Sequence, residues 1–516
     1  MASRSWSKLL GAAVVSGAVL LQLGCSSTTV VARVPAERQT PATVEPAQII
    51  VDAATAQRAR RKPNVVVLMT DDQRADELRY MPKTRRLLGR AGITFDQALS
   101  PNPLCCPARA EFLTGQATHN NKVLSNDRKK YGGYSRLDPI ETLPVWLQRQ
   151  GYATAFTGKH LNGYNYRRDG IDPGWSQFNV LTKGVYNYDS WSALEKGKPV
   201  KRTGYVTDYL GSQTARFVKR FSRQDRPFFI WTAHVGPHTA SGYPGGRWGV
   251  PRVPTRYQGR FTHKKFPLSS LRKPSFGENL SDKSRYYRGK AGRVDAAAAK
   301  KNHLARVGAI RAVDDNNAKV IRALRATGEL KNTVVVFLSD NGYLLGEHNY
   351  TGKILGFEES LRVPLVVRGP GIAAGSRARQ PVTLMDLTAT LVRLAGARPT
   401  VPMDGQSLVP LLRQPRTPTV ADTQLIGSGA YTAAEAKTSP WMYRGVRTAR
   451  YTLIRYFNGE VELYDREKDP YQVTNVAGAA RYAAALDDLT ARYDALKSCA
   501  GKECTTSFGP DVKPAS

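Results

Sequence analysis

Two unbroken apolar runs, each ending abruptly in carboxylates, organise this chain. Pro63-Asn64-Val65-Val66-Val67-Leu68-Met69-Thr70 runs into Asp71-Asp72, and Asn332-Thr333-Val334-Val335-Val336-Phe337-Leu338-Ser339 runs into Asp340-Asn341-Gly342. A run without polar alternation reads as a strand buried on both faces, the pattern of a parallel sheet covered by helices. Residues 153–157, 228–232 and 364–367 read as further strands. Between them, 143–150, 207–221 and 296–327 carry helical character, the last with room for a break inside it. Strands alternating with helices argue for an α/β domain built on a large, mostly parallel sheet. No internal repeat is visible.

The pattern changes at both ends. Arg4 and Lys8 precede a short apolar core from Leu9 to Leu21, and Leu23-Gly24-Cys25-Ser26-Ser27 follows. That is the layout of an export signal. Gly-Cys behind the core resembles a bacterial lipoprotein box with Cys25 as the lipidated residue. Gln22 stands where such a box usually has Leu, so free secretion stays open beside a cell-surface lipoprotein. The core is too short to span a membrane as a helix. The expected division is a signal peptide with lipobox over 1–25, a flexible tether over 26–62, the main α/β domain over 63–412 and a smaller α+β subdomain over 413–516. The last carries strand-like pieces at 445–456 and 461–464 and a helix at 479–496. Residues 242–293, rich in Pro, Gly and basic residues interleaved with aromatics, read as a long surface excursion.

Composition adds a sign to this picture. With 516 residues, 41% hydrophobic and 23% charged, the chain can bury a sizeable core, which excludes wholesale disorder. Lys+Arg 76 against Asp+Glu 42 leaves a formal charge of +34. Such a field draws polyanions, or it is a generally basic surface with no dedicated partner. No specific nucleic acid is expected, and the membrane is expected to be met only through a lipid anchor. Of the five cysteines, Cys499 and Cys504 can close a small disulfide loop in an exported protein.

The candidate chemistry sits at strand ends, where ligands bind in open α/β sheets. Asp71, Asp72, Asp340 and Asn341 offer four oxygen donors without His or Cys neighbours, a set that suits a hard divalent cation, Ca²⁺ before Mg²⁺. A lone Asp at a strand end usually caps a helix, and two strands ending alike point to a shared metal instead. Pro103-Leu104-Cys105-Cys106-Pro107-Ala108-Arg109-Ala110 is followed by Glu111-Phe112-Leu113-Thr114-Gly115. Cys105, Pro107 and Arg109 form Cys-x-Pro-x-Arg, with Leu-Thr-Gly at a fixed offset.

This arrangement resembles the signature of the type I sulfatases, whose first cysteine is oxidised to formylglycine (3-oxoalanine). The resemblance extends along the chain through Gly158-Lys159, Pro237-His238, Gly352-Lys353 with Glu358, Arg362, Val363 and Pro364, and a tail of Glu462-Leu463-Tyr464-Asp465, Asp469-Pro470 and Asn475. The double cysteine, Leu161-Asn162-Gly163-Tyr164 and Ser339-Asp340-Asn341-Gly342-Tyr343 look most like the N-acetylglucosamine-6-sulfatase and heparan endosulfatase branch. Many sulfatases carry His where this chain has Leu161. His160 is displaced by one position, which on an extended segment reverses the side chain.

The resemblance implies an alkaline-phosphatase-like sandwich and a sulfuric ester hydrolase acting on sulfated carbohydrate. It implies Asp71, Asp72, Asp340, Asn341 and the modified Cys105 around a metal, and a catalytic set of Cys105, Arg109, Lys159, His238 and Lys353. A formylglycine-generating enzyme is the implied maturation partner. Hydrated formylglycine would attack sulfur through one hydroxyl and release sulfate through the other, splitting one hard step into two. His238 is the candidate for contacting sulfate and protonating the leaving oxygen, with a structural histidine behind Pro237 as the plainer reading. Two other readings stay in view: a phosphonate monoester or phosphodiester hydrolase of the same superfamily, and an inactive surface protein that binds polyanions.

Overall fold

The computed structural model describes residues 62–126, 131–241, 249–430 and 435–515. The targeting segment with Cys25 and most of the tether lie outside them. Ten strands form one sheet: β1 (Asn64–Thr70), β2 (Ile93–Leu99), β3 (Ala153–Gly158), β4 (Gln177–Lys183), β5 (Ser190–Glu195), β6 (Lys198–Thr203), β7 (Phe228–Ala233), β8 (Thr333–Ser339), β11 (Leu365–Arg368) and β12 (Ser376–Thr383). The two-residue strands β9 (Leu344–Leu345) and β10 (Thr351–Gly352) pair separately. The order is β12-β2-β11-β8-β1-β7-β3-β4-β5-β6. Only β11 and β5 run against the others.

Longer helices cover both faces: α1 (Cys105–Thr114), α2 (Leu143–Arg149), α3 (Val206–Phe221), α4 (Ala296–Ala326) and α5 (Leu384–Ala395). The unbroken apolar runs are explained by this layering. Val65, Val67 and Met69 of β1 pack with Phe112, Trp146 and Leu391 on one side. Val66 and Leu68 pack with Phe217, Val307 and Ile310 on the other. Every residue of β1 and β8 is buried, and each such aliphatic side chain contributes about 1.5–3 kcal/mol.

The helix expected at 296–327 is continuous. Asp295 caps it by accepting from the Ala298 N–H at 2.7 Å. Gly308 does not break it but lets Val253 approach, since a Cβ there would lie 2.6 Å from a Val253 methyl. Beyond the sheet, β13 (Gln424–Gly429), β14 (Trp441–Arg447), β15 (Tyr451–Tyr456) and β16 (Val461–Asp465) form an antiparallel sheet backed by α6 (Ala483–Leu496). The piece read as one strand at 445–456 is a hairpin turning between Arg447 and Tyr451. Cys499 and Cys504 are disulfide-bonded.

Several cations in the described part of the basic excursion, from residue 249 on, are held in ion pairs. Arg256 pairs with Asp208 and Asp315, Lys273 with Glu347 and Glu359, and Arg285 with Glu460. No helix among the described residues is long and apolar enough to cross a membrane.

Candidate active site

β1 and β8 are parallel neighbours with Thr70 opposite Ser339, so Asp71-Asp72 and Asp340-Asn341 emerge side by side although distant in sequence. Asp72 adopts φ 67°, a left-handed conformation that Asp tolerates better than most residues. Two contacts hold it there. Its N–H donates to Asp340 Oδ1 at 3.1 Å, and its carbonyl accepts from Arg306 Nη2 at 2.5 Å. Arg306 is itself fixed by Glu77 at 2.6 Å.

The chain leaves β2 through Pro101–Leu104 and begins α1 at Cys105, which brings the thiol over these strand ends. Cys105 Sγ lies 3.4 Å from Asp71 Oδ1 and 2.9 Å from Lys353 Nζ. Cys106 points the other way, 3.9 Å from the Asn162 carbonyl and within the apolar core. One helical turn on, Arg109 donates to Asp340 Oδ2 at 2.9 Å and stands 3.5 Å from Asp71 Oδ2. Arg109 also donates to the Lys159 carbonyl.

Lys159 pairs with Asp71 and Lys353 with Asp72. The first placement depends on Gly158. At φ 124°, a Cβ there would meet the Ala233 carbonyl oxygen at 1.9 Å, so only glycine lets β3 close on β7 here. His238 Nε2 is 3.6 Å from Asp72 Oδ2, while its Nδ1 is 2.7 Å from the Thr239 carbonyl and so carries the proton. Asp71, Asp72, Cys105, Arg109, Lys159, His238, Asp340, Asn341 and Lys353 therefore converge on one buried cluster, whereas Cys106 and His160 do not join it.

Two neighbours had no sequence signal. Tyr186, in the β4–β5 connection, stacks on the His238 ring at 4.2 Å and lies under the Lys159 ammonium at 4.9 Å. Arg306 reaches Asp72 from α4. Neither belongs to a motif, and only the tertiary fold brings them near. His160 faces away from the cluster, as the one-residue shift implies. It lies 3.1 Å from Asp172 in a box of Tyr134, Phe156, Tyr164, Phe178 and Trp231. His348 stacks on Phe357 at 3.7 Å, and His119 binds the Cys499 carbonyl at 2.8 Å.

Electrostatics follow from burial and crowding. Burial favours the neutral form of Asp71, but Lys159, His238, Arg109 and Lys353 outweigh it and hold the carboxyl well below the usual range. Asp72 is lowered likewise, with Lys353 and then His238 overcoming burial. Burial, reinforced by the Asp71 charge, pushes Asp340 up to about 6. The same two causes push the Cys105 thiol up to about 11. Burial, offset only in part by Asp72 and Asp71, brings His238 down to about 4.

The cluster could hold a metal ion, although the atoms gathered here include the Cys105 sulfur and the His238 ring as well as carboxylate oxygens. Ligand atoms of Asp71, Asp72, Cys105 and His238 lie within 4.8 Å of one another. Beside them, the Oδ1 of buried Asn341 has no hydrogen-bond partner among the described residues, a lone pair left for a ligand. A second grouping, His119 with Cys499 and Cys504, is spent, because its two sulfurs form the disulfide.

A mostly parallel sandwich with carboxylates, lysines and an arginine gathered at its strand ends defines an enzyme of the class that hydrolyses anionic esters. The chain belongs to the sulfatase family. The sulfatase family model matches residues 63–397, and the model for the C-terminal part of N-sulphoglucosamine sulphohydrolase matches 346–498. Human N-acetylglucosamine-6-sulfatase is 30% identical over 504 residues, covering 86% of each chain. A solved structure described as in complex with its substrate D-glucosamine-2-N,6-O-disulfate has 25% identity and a TM-score of 0.70, covering 84% of this chain and 97% of its own. The phosphonate monoester hydrolase of Agrobacterium radiobacter shares the fold, with a TM-score of 0.65 at 21% identity over 85% of this chain and 96% of its own.

Proposed function

We propose that this enzyme hydrolyses sulfate monoesters on glycosaminoglycan-like sugars, of the kind exemplified by N-acetylglucosamine 6-sulfate. The observation that carries the reading is the position of Cys105, within 3.4 Å of Asp71 and 2.9 Å of Lys353. A thiol pushed up to about 11 is protonated at neutral pH and is a poor nucleophile, so in this reading the working nucleophile is formylglycine, made from Cys105 by a generating enzyme, and not the thiol. Formylglycine, when formed, supplies a hydrated aldehyde as the nucleophile. A divalent ion held by Asp71, Asp72, Asp340, Asn341 and residue 105, Ca²⁺ before Mg²⁺, supplies Lewis-acid polarisation of the sulfate when bound.

The chain's own charges do the rest. Asp71, Asp72 and Asp340 are balanced by Arg109, Lys159 and Lys353, so a bound dication leaves the cluster positive and receptive to a sulfate monoester. Lys159, Lys353 and Arg109 then stabilise charge that develops on the sulfuryl oxygens. His238, neutral when the site is free, gains a proton as the ester's negative charge offsets its burial, and delivers it from Nε2 to the leaving oxygen. Export through residues 1–25, with Cys25 as a lipid anchor or with free release, fits a substrate met outside the cell. Within this reading, 63–412 is the catalytic domain and 413–516 its C-terminal subdomain.

Peptide mass spectrometry across residues 103–115 tests the nucleophile. The mass loss of a thiol replaced by an aldehyde is expected at Cys105 and none at Cys106, and Cys105→Ala should abolish sulfate release while leaving the fold intact. Undiminished hydrolysis by Cys105→Ala would overturn the proposal. Faster turnover of aryl phosphonate or phosphodiester than of aryl sulfate would favour the phosphonate hydrolase reading instead.

A further inference from the structure

The chain carries a formal charge of +34, and part of it is gathered outside the aromatic-rich excursion. A groove of about 640 Å³ lies between the turn of helix before β2 and the start of β12, and its lining includes Lys83, Arg85, Arg86, Arg90 and Arg377 and no carboxylate. Lys83 is paired with Asp315 and Arg377 with Asp96. Arg85, Arg86 and Arg90 are exposed, and among the described residues none has an acidic partner within ion-pair distance. Behind them Arg368 donates to the Leu87 carbonyl at 2.9 Å, and Arg325 adds a further like charge beside it. Unpaired guanidinium groups crowded within about a Debye length repel one another, and a polyanion relieves that repulsion while releasing its own counterions.

We propose that this groove is a second anion site that holds a sulfated polysaccharide chain away from the catalytic cluster. Its place in the sheet separates it from the active site. Ser376 pairs with Ile93 at the amino ends of β12 and β2, whereas Cys105 follows the carboxyl end of β2. Seven residues of strand put roughly 20 Å between the two. The lining chemistry selects the polymer. Guanidinium forks match sulfate and carboxylate oxygens, and the groove has no aromatic side chain on which nucleic-acid bases could stack. The choice of a sulfated polymer rests on the function proposed above, and the anion site itself does not. A long chain gripped here is kept near the cleft, so the groove should lower KM for polymer without touching the chemistry.

The test is a triple variant, Arg85→Ala/Arg86→Ala/Arg90→Ala, in the full-length enzyme, with heparin as the probe. Heparin affinity at 0.15 M NaCl should fall at least tenfold, and the slope of log affinity against log salt should shrink by about three charges. Turnover of a monomeric sulfate ester and the melting temperature should be unchanged, while KM for a sulfated polymer rises. A control variant, Arg260→Ala/Lys264→Ala/Lys265→Ala, should keep most of the heparin affinity. The proposal is overturned if the triple variant binds heparin as the wild type does, or if the control loses as much. It is equally overturned if the wild type holds duplex DNA or anionic vesicles but not heparin. A wild type that binds heparin through these arginines yet releases no sulfate would sink the sulfatase reading and leave the anion site standing.

Discussion

At the scale of single residues, adjacent cysteines have opposite fates because α1 turns by about 100° per residue. Cys105 meets charge and Cys106 meets the core. The same logic gives His238 its character. With Nδ1–H held by Thr239 and burial bringing the ring down to about 4, its Nε2 faces the cluster as a lone pair, and in the proposed reaction it is the atom that would carry a proton to the leaving oxygen. His238→Ala should therefore slow sugar sulfates, whose alkoxide leaving group needs a proton, by about 10²–10⁴-fold. 4-Nitrophenyl sulfate, with a good leaving group, should lose far less, and steady-state kinetics on the two esters reads the difference. Equal losses would assign the ring to binding alone. Tyr186→Ala should reproduce part of this pattern by releasing the 4.2 Å stack on His238, whereas Tyr186→Phe should retain it.

At the scale of elements, α1 carries its polar residues through a buried environment. Burial pushes Glu111 up to about 8, against hydrogen bonds from Thr118 that favour its charged form. The sign follows from proton counting. Between about pH 4.5 and 8 the folded protein keeps a proton that the unfolded chain has lost, so stability falls as pH rises through that window and is flat above it. Glu111→Gln keeps the shape without the ionisation. It should raise the melting temperature at pH 8 relative to wild type and flatten the decline seen from pH 5 to 8 in thermal melts. β3 has the opposite vulnerability. Gly158→Ala must displace the Ala233 carbonyl, so activity should drop through Lys159 as well as stability through the sheet.

At the scale of the whole molecule, the buried Arg447–Glu358 pair is among the contacts that tie the antiparallel sheet to the segment carrying Lys353. Arg447 of β14 donates to Glu358 at 2.6 and 2.8 Å and to Gln97 at 2.6 Å. Glu358 lies five residues past Lys353, and burial would neutralise it if Arg447 and Arg466 did not hold it ionised. Removing one member of a buried pair strands the other charge, so Arg447→Met should cost about 3 kcal/mol in denaturant melts. It should also reduce sulfate release by loosening the Lys353 segment, and Arg447→Lys should rescue only in part. Chelation should act on the molecule as a whole too. If three carboxylates share a cation, EDTA should lower both turnover and melting temperature, and excess Ca²⁺ should restore both. A melting temperature indifferent to chelator would argue against a resident ion.

Much of this was legible in sequence because it is local. Unbroken aliphatic runs read as doubly covered strands, and a carboxylate at the end of such a run must lie at the sheet's carboxyl edge. Cys105, Arg109, Lys159, His238 and Lys353 were named instead because the short motifs that hold them resemble those of the sulfatases. Other features depend on contacts between segments that no local pattern records. The reversed direction of β11, the unbroken α4 and the split of the 445–456 piece into a hairpin were decided by packing partners. So were Tyr186 against His238, Arg306 on the Asp72 carbonyl and the Arg85–Arg90 groove. The chain by itself determined which residue types stand at the carboxyl ends of the strands. The tertiary structure alone decided how those charges pair, because buried charges take their state from whatever the fold places within a few ångströms.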